Sequence, residues 1–171
     1  MNAVEKMQFK NNIERILHVP GNYTGGILEI ALVCDYHMPE EELKSKAAEI
    51  VTCLKMQSEV FRNVRLNVIK WVNDNAILKE VIPMAYVQMG KAFEDYQSVK
   101  EKTEEAPKTL QELARQLKLF YARSKIIIVL TDGSGQIGDF DVLKGHLHPF
   151  LYRKLLLVEN GVIKQGRELL M

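Results

Sequence analysis

The chain has 171 residues, 47% of them hydrophobic and 26% charged, which is typical of one globular domain with a sizeable core. The formal net charge is +1, so no overall electrostatic field favours nucleic acid or an anionic membrane as a partner. Charged residues interrupt the N-terminal apolar residues, and the longest apolar runs are far shorter than the roughly 20 residues that span a bilayer, so we expect a cytoplasmic protein without a secretory signal or membrane insertion.

The first half of the chain alternates between helix and strand. Apolar spacing predicts an N-terminal helix over residues 4–18, and the apolar, β-branched residues 27–34 predict a strand buried on both faces. Residues 39–57 predict a second helix, because their apolar side chains recur at helical spacing behind a proline and three glutamates. We expect Cys34 in the strand and Cys53 on the helix to be small buried residues without a disulfide.

The second half continues the alternation. Its predicted elements are a strand at 64–72, a short edge strand at 76–82, a helix at 84–98, a helix from the capping Thr109 to about 123, strands at 125–131 and 153–159, and a hairpin strand at 162–165. This order predicts one three-layer, Rossmann-like α/β domain over residues 1–171, with a core over about 27–160. Its central sheet is mostly parallel and has helices on both faces.

The stretch "KIIIVLTDGSGQIGD", residues 125–139, has two interpretations. The Gly133–Gly138 loop spells G-x-G-x-x-G, which is the pattern of a dinucleotide-binding loop after a strand. However, the carboxylate of Asp132 would repel phosphates, and the helix that should follow is weakened by Gly145 and Pro149. A nucleotide- or dinucleotide-binding enzyme that uses this loop stays open as the alternative function.

The same stretch contains T-D-G at the end of an apolar strand, and "ALVCDYHMP" places Asp35 directly after the first buried strand. With the helix "TLQELARQLKLFYARSK" that leads into "IIIVLTDG", this order resembles the von Willebrand factor type A (VWA) family over residues 27–160. In that family a D-x-S-x-S run, a loop threonine and the aspartate of T-D-G hold a divalent ion at the carboxyl edge of the sheet. The resemblance implies Asp35 and Asp132 as ligands of Mg²⁺ or Mn²⁺, with His37 and Thr109 as weaker candidates.

The two serine positions of D-x-S-x-S are occupied by His37 and Pro39. Because Mg²⁺ requires oxygen ligands, we expect a degenerate metal site and no cofactor. Asp35 and Asp132 would then lie close together and repel one another unless other groups neutralise them. We expect amides at the helix starts that follow each aspartate, together with a protonated His37, to take over the neutralising role of the metal.

The resemblance implies a protein–protein interaction module rather than an enzyme, acting as an adaptor or assembly component that binds another protein. The loops 35–39, 99–109 and 132–141 would meet this partner. The candidate contact residues are Asp35, His37, Asp132, Asp139 and Asp141. We expect no zinc site at His146 and His148, because zinc needs three or four converging ligands.

Overall fold

The structure is a computed structural model that describes residues 1–18, 26–56, 63–135 and 137–166. Position 57 of the second predicted helix, and Gln136 in the glycine loop, lie outside the described residues. In chain order the elements are α1 (Ala3–Leu17), β1 (Leu28–Asp35), α2 (Glu40–Lys55), β2 (Val64–Asn73), β3 (Ala76–Val81), α3 (Met84–Gln88), a 3₁₀ turn (Lys91–Phe93), α4 (Tyr96–Lys102), α5 (Leu110–Phe120), β4 (Ile126–Thr131), α6 (Val142–His146), α7 (Pro149–Tyr152), β5 (Leu155–Glu159) and β6 (Val162–Gln165).

These elements form a six-stranded sheet in the order β3-β2-β1-β4-β5-β6. The four central strands are parallel, whereas β3 and β6 are antiparallel strands at the two edges. β6 returns through a two-residue turn in which Asn160 and Gly161 have φ values of 47° and 79°, as a type I′ hairpin requires. The predicted mostly parallel α/β sheet and its final hairpin strand are confirmed.

Helices cover both faces of the sheet. One apolar core joins β1, β2 and β4 to α1, α2 and the α3–α4 segment, and a second core on the opposite face joins the same strands to α5, α6 and α7. All six residues of β4 are buried, which explains why this strand is a continuous apolar run without alternation. Cys34 and Cys53 are buried and unbonded, as expected.

The segment predicted as one helix over 84–98 is divided into α3, the 3₁₀ turn and α4. Gly90 ends α3 with a φ of 75°, a left-handed conformation that glycine adopts at little cost. The prediction of a continuous helix was therefore wrong, because the apolar spacing continues across a change in chain direction. Within the described part of the chain, no helix combines the length and apolar character needed to cross a membrane.

Lys154 is a buried lysine beside the start of β5. Its ammonium donates hydrogen bonds to the carbonyl oxygens of Ala122 at 3.3 Å and Ser124 at 3.2 Å, and it lies 4.3 Å above the ring of Phe150. Burial, together with the nearby charge of Lys125, lowers the pKa of Lys154 to about 8. The folded state therefore holds this proton less tightly than an unfolded chain does.

We expect the buried charge of Lys154 to make the free energy of unfolding vary with pH in the alkaline range. Between about pH 8 and the unfolded pKa of 10.5, the unfolded chain binds more protons at Lys154, so the free energy of unfolding rises with pH. At pH 7 the wild type bears the cost of burying a charge, which Lys154→Met does not. The free energy of unfolding of the wild type should therefore rise relative to that of Lys154→Met by about 1–2 kcal/mol between pH 7 and pH 9.5. Urea unfolding of both proteins at each pH measures the difference and cancels opposing effects, such as that of the buried Cys34 thiol. A pH-independent difference would contradict this assignment.

Candidate functional site

The carboxyl ends of β1 and β4 meet at the point where the strand order reverses. Cys34 pairs with Leu130 as the last registered pair of these two strands, so Asp35 and Thr131 follow side by side at the edge of the sheet. In open α/β sheets, ligands bind in the crevice at this topological switch point. The predicted adjacency of the first and fourth strands is confirmed, and it brings Asp35 next to the T-D-G segment.

Asp35 is a fully buried carboxylate in which both oxygens have partners. Oδ1 accepts a hydrogen bond from the backbone N–H of His37 at 2.9 Å and forms an ion pair with the ammonium of Lys108. Oδ2 accepts a hydrogen bond from the hydroxyl of Thr131 at 2.5 Å. The charge of this carboxylate is thus compensated entirely by protein groups, as a buried carboxylate requires.

Lys108 places its ammonium between Asp35 and the indole of Trp71. The side chain is 12% exposed, and the ammonium lies 4.4 Å from the centre of the Trp71 ring, within the range of a cation–π contact. Burial lowers the pKa of Lys108, although Asp35 opposes this shift. The contacts of Lys108 are those of a fixed internal cation.

The segment that carries Lys108 is held by the turn between β2 and β3. The N–H of Asp74 donates to the carbonyl of Pro107 at 2.7 Å, and the Asp74 carboxylate accepts from the N–H of Thr109 at 2.8 Å and from its hydroxyl at 3.0 Å. The Thr109 hydroxyl also accepts from the N–H of Glu112 at 3.2 Å, which confirms its predicted role as the cap of α5. Both hydroxyl contacts of Thr109 serve local structure.

Asp132 has a separate set of partners in the turn after β4. Its Oδ1 accepts hydrogen bonds from the N–H of Ser134 at 2.9 Å and from the Ser134 hydroxyl, and its carbonyl accepts from Asn160 at 2.7 Å. Partial burial raises the pKa of Asp132, but the bonds from Ser134 and the charge of His37 outweigh it, so the pKa lies below its ordinary value. Asp132 therefore stays ionised at neutral pH.

The expected neutralisation of the two aspartates is confirmed in part. A backbone amide donates to each carboxylate, but these amides belong to turns, because α2 begins only at Glu40 and α6 only at Val142. Lys108, which was not among the expected groups, supplies the counter-charge of Asp35. The imidazole of His37 is exposed and acts on Asp132 instead.

The remaining predicted residues, Asp139 and Asp141, have no hydrogen bond to this centre among the described residues. Asp139 accepts a hydrogen bond from the N–H of Asp141 at 3.0 Å, and both residues are exposed in the loop before α6. Among the described residues, no group of three or more His, Cys, Asp or Glu side chains is arranged to hold a metal ion.

A cavity of about 580 Å³ opens beside the ion pair, between the end of β2 and residues 100–108. His37 and Gly135 line it from the switch point, and Lys100, Thr103 and Lys108 line it from the segment before α5. The Lys100 ammonium donates to the carbonyl of Tyr36 at 2.7 Å, so it is held in place. The cavity thus connects the buried ion pair with the surface.

The geometry of the glycine loop does not favour dinucleotide binding. The N–H of Ser134 is already bonded to the Asp132 carboxylate, and the carboxylate of Glu159 lies against Gly133. The next helix, α6, begins at Val142 and has five residues, so no helix starts at Gly138 as a dinucleotide-binding loop requires. The carboxylates of Asp132 and Glu159 would therefore repel a pyrophosphate that approached this loop.

Comparison of the chain with protein-family models, with curated proteins and with solved structures gives no match. The resemblance to the VWA family therefore rests on Asp35, the T-D-G segment and the order of the elements.

Proposed function

We propose that this chain is a VWA-like protein–protein interaction module that works without a metal ion. The observation that carries the proposal is the ion pair of Lys108 with Asp35, completed by the hydroxyl of Thr131. In the VWA family a divalent ion neutralises the aspartates at this edge of the sheet. Here the ammonium of Lys108 supplies a positive charge from within the chain, so Asp35 needs no external cation.

The contacts of this centre support a fixed binding surface. Asp35 joins the end of β1 to the end of β4 through Thr131, and to the segment before α5 through Lys108. The loops 35–39, 99–109 and 132–141 are thereby tied to one another, and they carry the exposed residues His37, Asp139 and Asp141. A preorganised surface loses little conformational freedom on binding, which suits an adaptor or assembly component in the cytoplasm.

The test is capture of a partner from cells of the native host with the tagged chain. Recovery of the partner should be the same with EDTA or Mg²⁺, since the cation is built in. Asp141→Lys should lower recovery roughly three- to tenfold, because reversal of an interface charge weakens association. This aspartate suits the test because its side chain does not cap α6.

Glu14→Lys is the matched control, since it makes the same charge change on the exposed face of α1. Glu5, near the start of α1, lies against the turn of the β5–β6 hairpin. Glu14 is nine residues further along the same helix, so it lies about 13 Å from this end of the sheet. Glu14→Lys should leave recovery unchanged. Loss of the partner in EDTA, or equal loss with both variants, would overturn the proposal.

A further inference from the structure

The cavity beside the Lys108–Asp35 pair has features that the proposed partner surface does not require. Its volume of about 580 Å³ lies in the range of small-molecule sites, and it opens at the switch point of the sheet, where α/β proteins bind ligands. Two lysines, Lys100 and Lys108, belong to its lining, where the ammonium of Lys100 bonds to Tyr36 and that of Lys108 to Asp35. The chemistry of this wall indicates the class of ligand.

The exposed side chain of Lys100 is held in place by contacts with Tyr36 and Tyr96. The ammonium donates to the carbonyl of Tyr36 and lies 5.4 Å from the centre of the Tyr96 ring. The Tyr96 hydroxyl donates to the carbonyl of Met38, and the Tyr36 hydroxyl donates to Asp95 at 3.1 Å. An ammonium has three donor hydrogens, so Lys100 retains donors for a ligand after it has bonded to Tyr36.

The positive charges of the two lysines repel one another, and this repulsion contributes to the lowered pKa of Lys108. Asp35 compensates Lys108 alone, and the imidazole of His37 adds a third nitrogen donor to the lining. Glu104 and Glu105 also line the cavity and are exposed, as Lys100 is, so water screens all three charges. The two carboxylates favour a ligand with one compact negative charge over a polyanion.

We propose that the cavity binds a small molecule through one compact anionic group, a carboxylate or a phosphate, held by the ammonium groups of Lys100 and Lys108. Charge-assisted hydrogen bonds to two ammonium groups are strong, and the anion removes the repulsion between them. The neighbouring Thr103 hydroxyl supplies a further polar contact for the rest of the ligand.

The chain contains a single tryptophan, and Lys108 lies over its ring, so Trp71 fluorescence reports on ligands at this lysine. Sodium acetate and sodium phosphate are titrated separately into the isolated chain, against sodium chloride at equal ionic strength. The acetate and phosphate arms distinguish a carboxylate from a phosphate site. The expected result is a saturable change in Trp71 fluorescence with one of them and, at about a hundred times its Kd, a rise in Tm of roughly 5–10 °C.

Lys100→Ala should weaken this binding at least tenfold, whereas Lys102→Ala, an exposed lysine on the same helix, should not change it. The proposal is overturned if neither anion differs from chloride, or if both variants bind like the wild type. The titration contains no partner protein, so its outcome is independent of the capture experiment.

Discussion

Replacing Lys108 by methionine is expected to lower the free energy of unfolding by about 3–5 kcal/mol. The substitution keeps most of the apolar contact with Trp71 but leaves the fully buried carboxylate of Asp35 without its counter-charge. The hydrogen bonds from His37 and Thr131 remain, yet hydrogen bonds alone do not replace a paired charge for a fully buried carboxylate. Urea unfolding at pH 7 measures the loss.

Two further variants give this prediction its controls. Lys102→Met removes an exposed lysine and should change stability by less than about 0.5 kcal/mol. Adding Asp35→Asn to Lys108→Met removes the stranded charge, so the double variant should be more stable than Lys108→Met alone. The proposed function requires Lys108 to be the counter-charge of Asp35. If Lys108→Met were as stable as Lys102→Met, this requirement would not be met.

Gly166→Ala is expected to destabilise the protein by about 1–3 kcal/mol. Gly166 directly follows β6, and its N–H donates to the carbonyl of Leu155 at 2.7 Å. A Cβ at this position would overlap with the carbonyl oxygen of Tyr152, which is rigid backbone. β6 must therefore shift away from β5, and the hydrogen bond from Gly166 to Leu155 is then lost.

Gly145→Ala is the matched control for this substitution. Gly145 lies in α6, and a Cβ there would meet no atom within 4 Å. Alanine should stabilise this short helix by about 0.5–1 kcal/mol, because glycine loses more backbone entropy on folding. Thermal unfolding of the two variants should thus shift in opposite directions, and a shift in the same direction would contradict the packing at Gly166.

Local patterns predicted the elements because each signal lies within the element that it specifies. The apolar run of β4 indicates a strand buried on both faces, the T-x-x-E at Thr109 specifies a helix start, and Asn160-Gly161 specifies a hairpin. Where a local pattern was misleading, at Gly90, the glycine turns the chain within a stretch whose apolar spacing still fits a helix. Spacing reports which side chains are buried, and two short helices can bury the same side chains as one long helix.

The residues of the site show the same difference between local sequence signals and long-range contacts. Asp35 and Asp132 could be selected from the sequence because each follows an apolar strand, and parallel strands end at a common edge of the sheet. Lys108 could not be selected, since it lies 73 residues from Asp35 in a polar loop, where it looks like any solvated lysine. Thr131 was visible only as part of T-D-G, although its hydroxyl binds a carboxylate 96 residues away.

Sequence alone was sufficient to identify a mostly parallel α/β sheet and the edge at which the strands before Asp35 and Asp132 end, because periodicity and turn chemistry act over a few neighbouring residues. The partner that neutralises Asp35 emerged only once the chain was folded. The Asp74 turn brings Lys108 to the switch point and into contact with Trp71. The charge of a buried carboxylate must be compensated, but any cation that tertiary packing brings within reach can do so, and no short-range pattern specifies which one it is.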